Sequence, residues 1–201
     1  MSTRRDPEAT RAAILEAAEE AFLQKGVADA STSLIARRAG VTKSLIHHHF
    51  GSKEKLWQEV KRRRFEQYAA GQQQMLDTSE ADEGLLRRSM KLYFQFLQQN
   101  PEMIRLMAWM YLEADTECGD IDSQLLHSGV DKIRQSQEQG IFRQDVDPRY
   151  MLMVFLMLSQ QWFQSRAHLC RDLGIDQDDA TIDRDFFEVM EKIFFEGVLP
   201  R

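Results

Sequence analysis

Three consecutive histidines, His47, His48 and His49, are the residues of this chain with the widest chemical range, since imidazoles bind metals, move protons and pair with anions. Neighbouring positions on a helix point about 100° apart, so the three rings cannot close on one ion and no metal site is expected. Catalysis finds no carrier either. The chain lacks a His-Glu-x-x-His run, a Glu-x-x-His pair, a phosphate-cradling glycine loop and a nucleophile elbow, and His168 and Cys170 fall on different faces of a helix. No catalytic residue, cofactor or metal is assigned, and an enzyme is not expected. What is left to Ser44, His47 and His48 is hydrogen bonding from one free helix face.

The elements that would hold that face lie between Ser31 and Trp57. Ile35, Ala36 and Ala39 recur at the spacing of a core-facing helix, Gly40 supplies a left-handed turn residue, and Thr42 is a good N-cap for a second helix. On that second helix Ile46 and Phe50 point one way, while Ser44, His47 and His48 point largely the other. One face packs and the other can enter a groove. This is the pattern of a helix-turn-helix that reads DNA.

Charge divides the chain in the same way. Residues 1 to 65 carry 13 Lys and Arg against 8 Asp and Glu, a net of +5, whereas residues 66 to 201 carry 13 against 24, a net of −11. A phosphate backbone is attracted to the first part and repelled by the second, so overall acidity does not argue against DNA. The run Lys61, Arg62, Arg63, Arg64 reads most simply as a solvated helix face.

A length of 201 residues suits one or two domains with a real core. Cys118 and Cys170 have no CxxC spacing, which predicts reduced thiols in a cytoplasmic protein. The longest apolar run, Tyr150 to Leu158, falls far short of the roughly 20 residues that span a bilayer, so no membrane partner is expected. Arg4 and Arg5 lead into Asp6 and Pro7, not into the apolar stretch of a secretory leader. Helical periodicity and its breakers predict nine helices and no strand, an all-α class. The helices run over about 7–25, 33–39, 43–49, 53–75, 83–99, 101–115, 121–139, 148–172 and 183–197.

From Gly40 to Leu56 the run GVTKSLIHHHFGSKEKL is similar to GVSKGTLYHHFPSKEAL, a phrase that closes the DNA-binding domain of the TetR/AcrR family of bacterial transcription regulators. Upstream, Ile14, Leu15, Ala18 and Phe22 before Gly26, and IARRAGV from Ile35 to Val41, match the same pattern. Ser44 stands where that family often has Gly, Leu45 where it has Thr, His47 where it has Tyr and Gly51 where Pro is common. These departures bear on which sequence is read, not on how. The resemblance implies that Ser31, Thr32, Thr42, His47 and Lys53 meet phosphates of a double-stranded operator, and that Ser33, Lys43, Ser44, Leu45 and His48 reach base edges. An exposed Leu45 suits a thymine methyl.

It also implies a two-part organisation. A three-helix helix-turn-helix domain would occupy residues 1–52, and a larger helical ligand-binding and dimerisation domain residues 53–201, with the helix 53–75 connecting them. The run YMLMVFLMLSQQWF from Tyr150 to Phe163 is apolar nearly all round, which predicts a helix covered on most faces. Phe186, Met190, Ile193 and Phe194 form a stripe on the last helix that a homodimer partner would cover. Met and aromatic side chains gather between residues 90 and 162, and adaptable residues of this kind line apolar cavities. Phe94, Met103, Met107, Trp109, Met110, Phe155 and Trp162 are the expected lining of a pocket for a small apolar or amphipathic effector. The function expected is a homodimeric transcription repressor released from a palindromic operator by that effector. The alternative is a helical partner-binding coactivator that keeps the fold without sequence-specific DNA binding.

Overall fold

The computed structural model describes residues 6–78, 80–115, 120–176 and 178–199. Its regular elements are α1 (Pro7–Asp29), α2 (Thr32–Ala39), α3 (Lys43–Phe50), α4 (Lys53–Thr78), α5 (Glu83–Gln99), α6 (Pro101–Leu112), α7 (Asp120–Glu138), α8 (Pro148–Leu173) and α9 (Ile182–Val198). The fold is all-α, as expected. Helices begin where a side chain can take up an orphan N–H. Ser31 accepts from Leu34 N, Thr42 from Leu45 N and Asp82 from Leu85 N. Gly40 at φ 64° and ψ 37° ends α2, and Gly174 at φ 70° ends α8.

Contacts divide the chain into two units, residues 1–67 with 105–121 and residues 68–104 with 122–201. In the first, α2 packs on α1 and on α3. Ile14, Ala18, Phe22, Ile35, Ile46, Leu56 and Val60 are almost completely buried there. Phe22 meets Trp57 edge to face, with centroids 5.3 Å apart. Removing one such side chain from water stabilises by about 1.5 to 3 kcal/mol. Gly26, at φ 76° and ψ 170°, breaks the helical path of α1 where the sequence expects it to close, and a short further turn through Val27, Ala28 and Asp29 follows the bend.

In the second unit α5, α8 and α9 pack on one another. Trp162 lies flat on Phe186 with centroids 3.9 Å apart, and Phe94 touches Phe163, Phe186 and Phe187. Asp183, in the first turn of α9, accepts from Trp162 Nε1 at 2.8 Å, from Gln98 Nε2 at 3.1 Å and from Arg166. Burial pushes this carboxyl up, but those three donors outweigh it and hold it below its ordinary value.

The helix expected to be covered on most faces departs from that expectation within the chain. Met151, Phe155, Ser159, Trp162 and Cys170 of α8 are buried, whereas Tyr150, Met153, Val154, Met157 and Leu158 are exposed. One side of α8 meets α5 and α9, and Met151 and Leu152 near its start also meet Gln137 and Gly129 of α7. Cys170 is a buried free thiol, and Cys118 lies outside the described residues. Among the described residues no helix is long and apolar enough to cross a membrane.

Candidate nucleic-acid interface

The face of α3 divides as its sequence period requires. Ile46 and Phe50 are buried, while Lys43, Ser44, His47 and His48 are exposed and Leu45 is half-exposed. Ser31 and Ser33 are exposed at the start of α2, with Thr32 half-buried between them, and Thr42 is exposed at the start of α3. The cap bonds leave the hydroxyl protons of Ser31 and Thr42 free to be donated, because each oxygen acts there as an acceptor. These donors and the α3 face therefore belong to one helix-turn-helix.

His47 is oriented by its own helix end. Its Nδ1 lies 2.7 Å from the Gly51 carbonyl oxygen, which can only accept, so Nδ1 carries the proton and Nε2 is left for another partner. His48 stands edge-on to His49, with centroids 5.5 Å apart.

Lys53 is only half-buried, and its ammonium donates to Val27 O at 2.8 Å and Ala28 O at 3.2 Å. A lysine has three N–H donors, so one remains. In the basic run further along α4, Arg62 and Arg63 are exposed as a solvated face requires, whereas Lys61 is not. Lys61 is fully buried and pairs with Asp115 at 2.8 Å, Arg62 pairs with Glu59 and Glu66, and Arg64 pairs with Glu19. Of the four, Lys61 and Arg64 tie α4 to distant parts of this unit, whereas the partners of Arg62 lie on α4 itself.

The partner of Lys61 comes from the end of α6, which lies in the same unit as α1 to α3. Asp115 also accepts from Trp57 Nε1 at 2.6 Å. Trp109 donates from Nε1 to Leu23 O at 3.2 Å, and Glu113 Oε1 accepts from Val27 N at 2.7 Å and Ala28 N at 3.1 Å. Nothing local in the sequence ties these three residues to the reading head, because their partners lie more than fifty positions away.

The remaining expected pocket residues fall as follows. Phe94, Met103, Met110, Phe155 and Trp162 are buried and Met107 is half-buried; Phe94 and Trp162 share the Phe186 ring, and Phe155 meets Tyr93 and Phe194. Met107, Trp109 and Met110 lie in the first unit and the other four in the second. Phe186, Met190, Ile193 and Phe194 all line one apolar groove of about 360 Å³ between α8 and α9, open to Tyr150, Val154, Leu158 and Val189.

Residues 14–60 match the model of bacterial regulatory proteins of the tetR family, and residues 90–189 match the Tetracyclin repressor-like C-terminal domain. The chain belongs to the TetR family. It is a DNA-binding transcription regulator, and the matches do not favour the reading as a coactivator without DNA binding. Relatives of this TetR-family chain include the transcriptional activator FasR of Mycolicibacterium smegmatis, 33% identical over 48% of this chain and 44% of that protein. That match spans less than half of FasR. The transcriptional repressor SCO4008 of Streptomyces coelicolor is 29% identical over 79% of this chain and 80% of its own length. The solved structure of a transcriptional regulator, SCO4942 of the same species, shares the fold with a TM-score of 0.71 at 24% identity, covering 92% of this chain and 97% of that one.

Proposed function

We propose that this regulator is a repressor that binds a palindromic operator as a homodimer and is released by a small apolar or amphipathic effector held in the C-terminal helical domain, residues 53–201. The observation that carries the DNA half is the exposed face of α3, where Lys43, Ser44, His47 and His48 present polar groups beside a buried Ile46 and Phe50. In this reading Ser33, Lys43, Ser44, Leu45 and His48 address base edges, and Ser31, Thr32, Thr42, His47 and Lys53 address phosphates. The bare apolar side of α8 and its groove with α9 support the dimer half, since large exposed apolar patches mark interaction surfaces. An effector acts only through its differential affinity for the two states of the regulator. The reading assigns the chain no reaction, and it has the chain act in the cytoplasm.

Lys53→Ala tests the phosphate assignment. The variant should bind every duplex more weakly, with the slope of log affinity against log salt reduced by about one. Altered sequence preference at an unchanged slope would remove Lys53 from the phosphate contacts.

A further inference from the structure

The bend in α1 carries two opposite charges on three successive peptide units, the middle one of which both charges meet. Glu113 Oε1 accepts from the N–H groups of Val27 and Ala28 at 2.7 and 3.1 Å. Lys53 donates from Nζ to the carbonyls of the same two residues at 2.8 and 3.2 Å. The Val27–Ala28 peptide is held at both ends, its N–H by the carboxylate and its C=O by the ammonium, which polarise it in the same sense, so these two bonds strengthen each other. The segment is also closely walled. A Cβ on Gly26 would lie 2.7 Å from Glu113 Oε1 and 2.7 Å from the Trp109 ring, so the end of α6 seats only against a glycine. All of these residues lie in one unit.

We propose that Glu113 is a positioning residue for DNA binding, which fixes the Val27 and Ala28 peptides so that their carbonyls hold the Lys53 ammonium for a phosphate. The proposal rests on the reading of Lys53 as a phosphate contact. It runs against simple charge counting. Removing a carboxylate from the head reduces its repulsion of DNA and should by itself tighten binding. Removing the support of Lys53 should loosen it. The sign of the change separates the two.

The full-length chain, Lys53→Ala, Glu113→Ala, the double variant and Glu113→Gln are compared on a mixed-sequence DNA duplex, with affinity measured against salt concentration. Lys53→Ala is expected to lower the salt slope by about one. Glu113→Ala is expected to weaken binding by several-fold to about tenfold and to lower the slope in the same direction. The double variant should fall no further than Lys53→Ala alone, because both changes remove one contact. Glu113→Gln keeps an oxygen that can accept from both N–H groups and sheds the charge, so it should bind as tightly as wild type or more tightly. If Glu113→Ala does not fold, Glu113→Ser, too short to reach the N–H groups, carries the same expectation. A Glu113→Ala chain that binds as well as wild type or better, while Lys53→Ala loses slope, overturns the proposal. So do additive losses in the double variant, which would show that the two side chains act separately. An unchanged slope in Lys53→Ala overturns the phosphate reading and this inference with it.

Discussion

Replacing Val189 and Ile193 together by Glu should yield a folded monomer that has lost operator binding. The two side chains lie one turn apart on α9 and are 57% and 65% exposed, so within one chain the substitution removes little packing. In a two-fold dimer the same positions would sit in an apolar seam, and symmetry doubles every charge introduced. Burying an unpaired carboxylate costs several kcal/mol unless it neutralises. Dimer affinity should fall by a factor on the order of 10³ or more, since each 1.4 kcal/mol is tenfold. Sedimentation would report the mass, circular dichroism the intact helices, and a gel shift the lost binding. Met190 and Phe194 are unsuitable for this test. They are only 4% and 7% exposed and serve the core of their own chain, so charging them should unfold the protein whatever the interface. A Val189→Glu, Ile193→Glu chain that stays dimeric and still binds DNA would move the interface elsewhere.

The second large effect is expected at Gly26. Its φ of 76° and ψ of 170° fall in a region essentially reserved for glycine, and forcing another residue into it costs about 1 to 3 kcal/mol. Alanine would also drive a methyl group into the Trp109 ring and the Glu113 carboxylate. That ring cannot swing aside freely, because its Nε1 is bonded to Leu23 O. Gly26→Ala should therefore destabilise by about 2 to 4 kcal/mol in a urea or thermal melt. Gly71 is the control. It lies inside α4 with nothing within 4 Å of an added Cβ, so Gly71→Ala should stabilise by about 0.5 to 1 kcal/mol. Equal effects at the two glycines would show that the bend does not depend on close approach.

The two glycines also mark how far sequence reading reaches. Features decided within one turn were legible: the caps Ser31 and Thr42, the left-handed Gly40, and the periodic split between Ile46 and Phe50 on one side and Ser44 and His47 on the other. Gly26 reads as a helix end, and the helical path does break there; what was not legible is the short turn beyond it, where Glu113, 86 residues from Val27, takes up the N–H groups that the bend exposes. Lys61 reads as one member of a charged surface run, yet it is buried because Asp115 supplies its counter-charge from 54 residues away. Trp109 looks like its neighbours Met107 and Met110, and only its bond to Leu23 O distinguishes it. On α9 the apolar stripe was legible. Its division into a side that faces the chain's own core, Met190 and Phe194, and a side that faces outward, Val189 and Ile193, was not, because both sides are equally apolar.

Selection from a pool of random duplexes, with the full-length chain at near-physiological salt, tests the central claim most directly. Two copies reading DNA through α3 should enrich an inverted repeat whose half-site centres lie about 34 to 36 Å apart on one face of the helix, bound by two chains per duplex. No enrichment over the starting pool, or enrichment of a single half-site held by one chain, would contradict it.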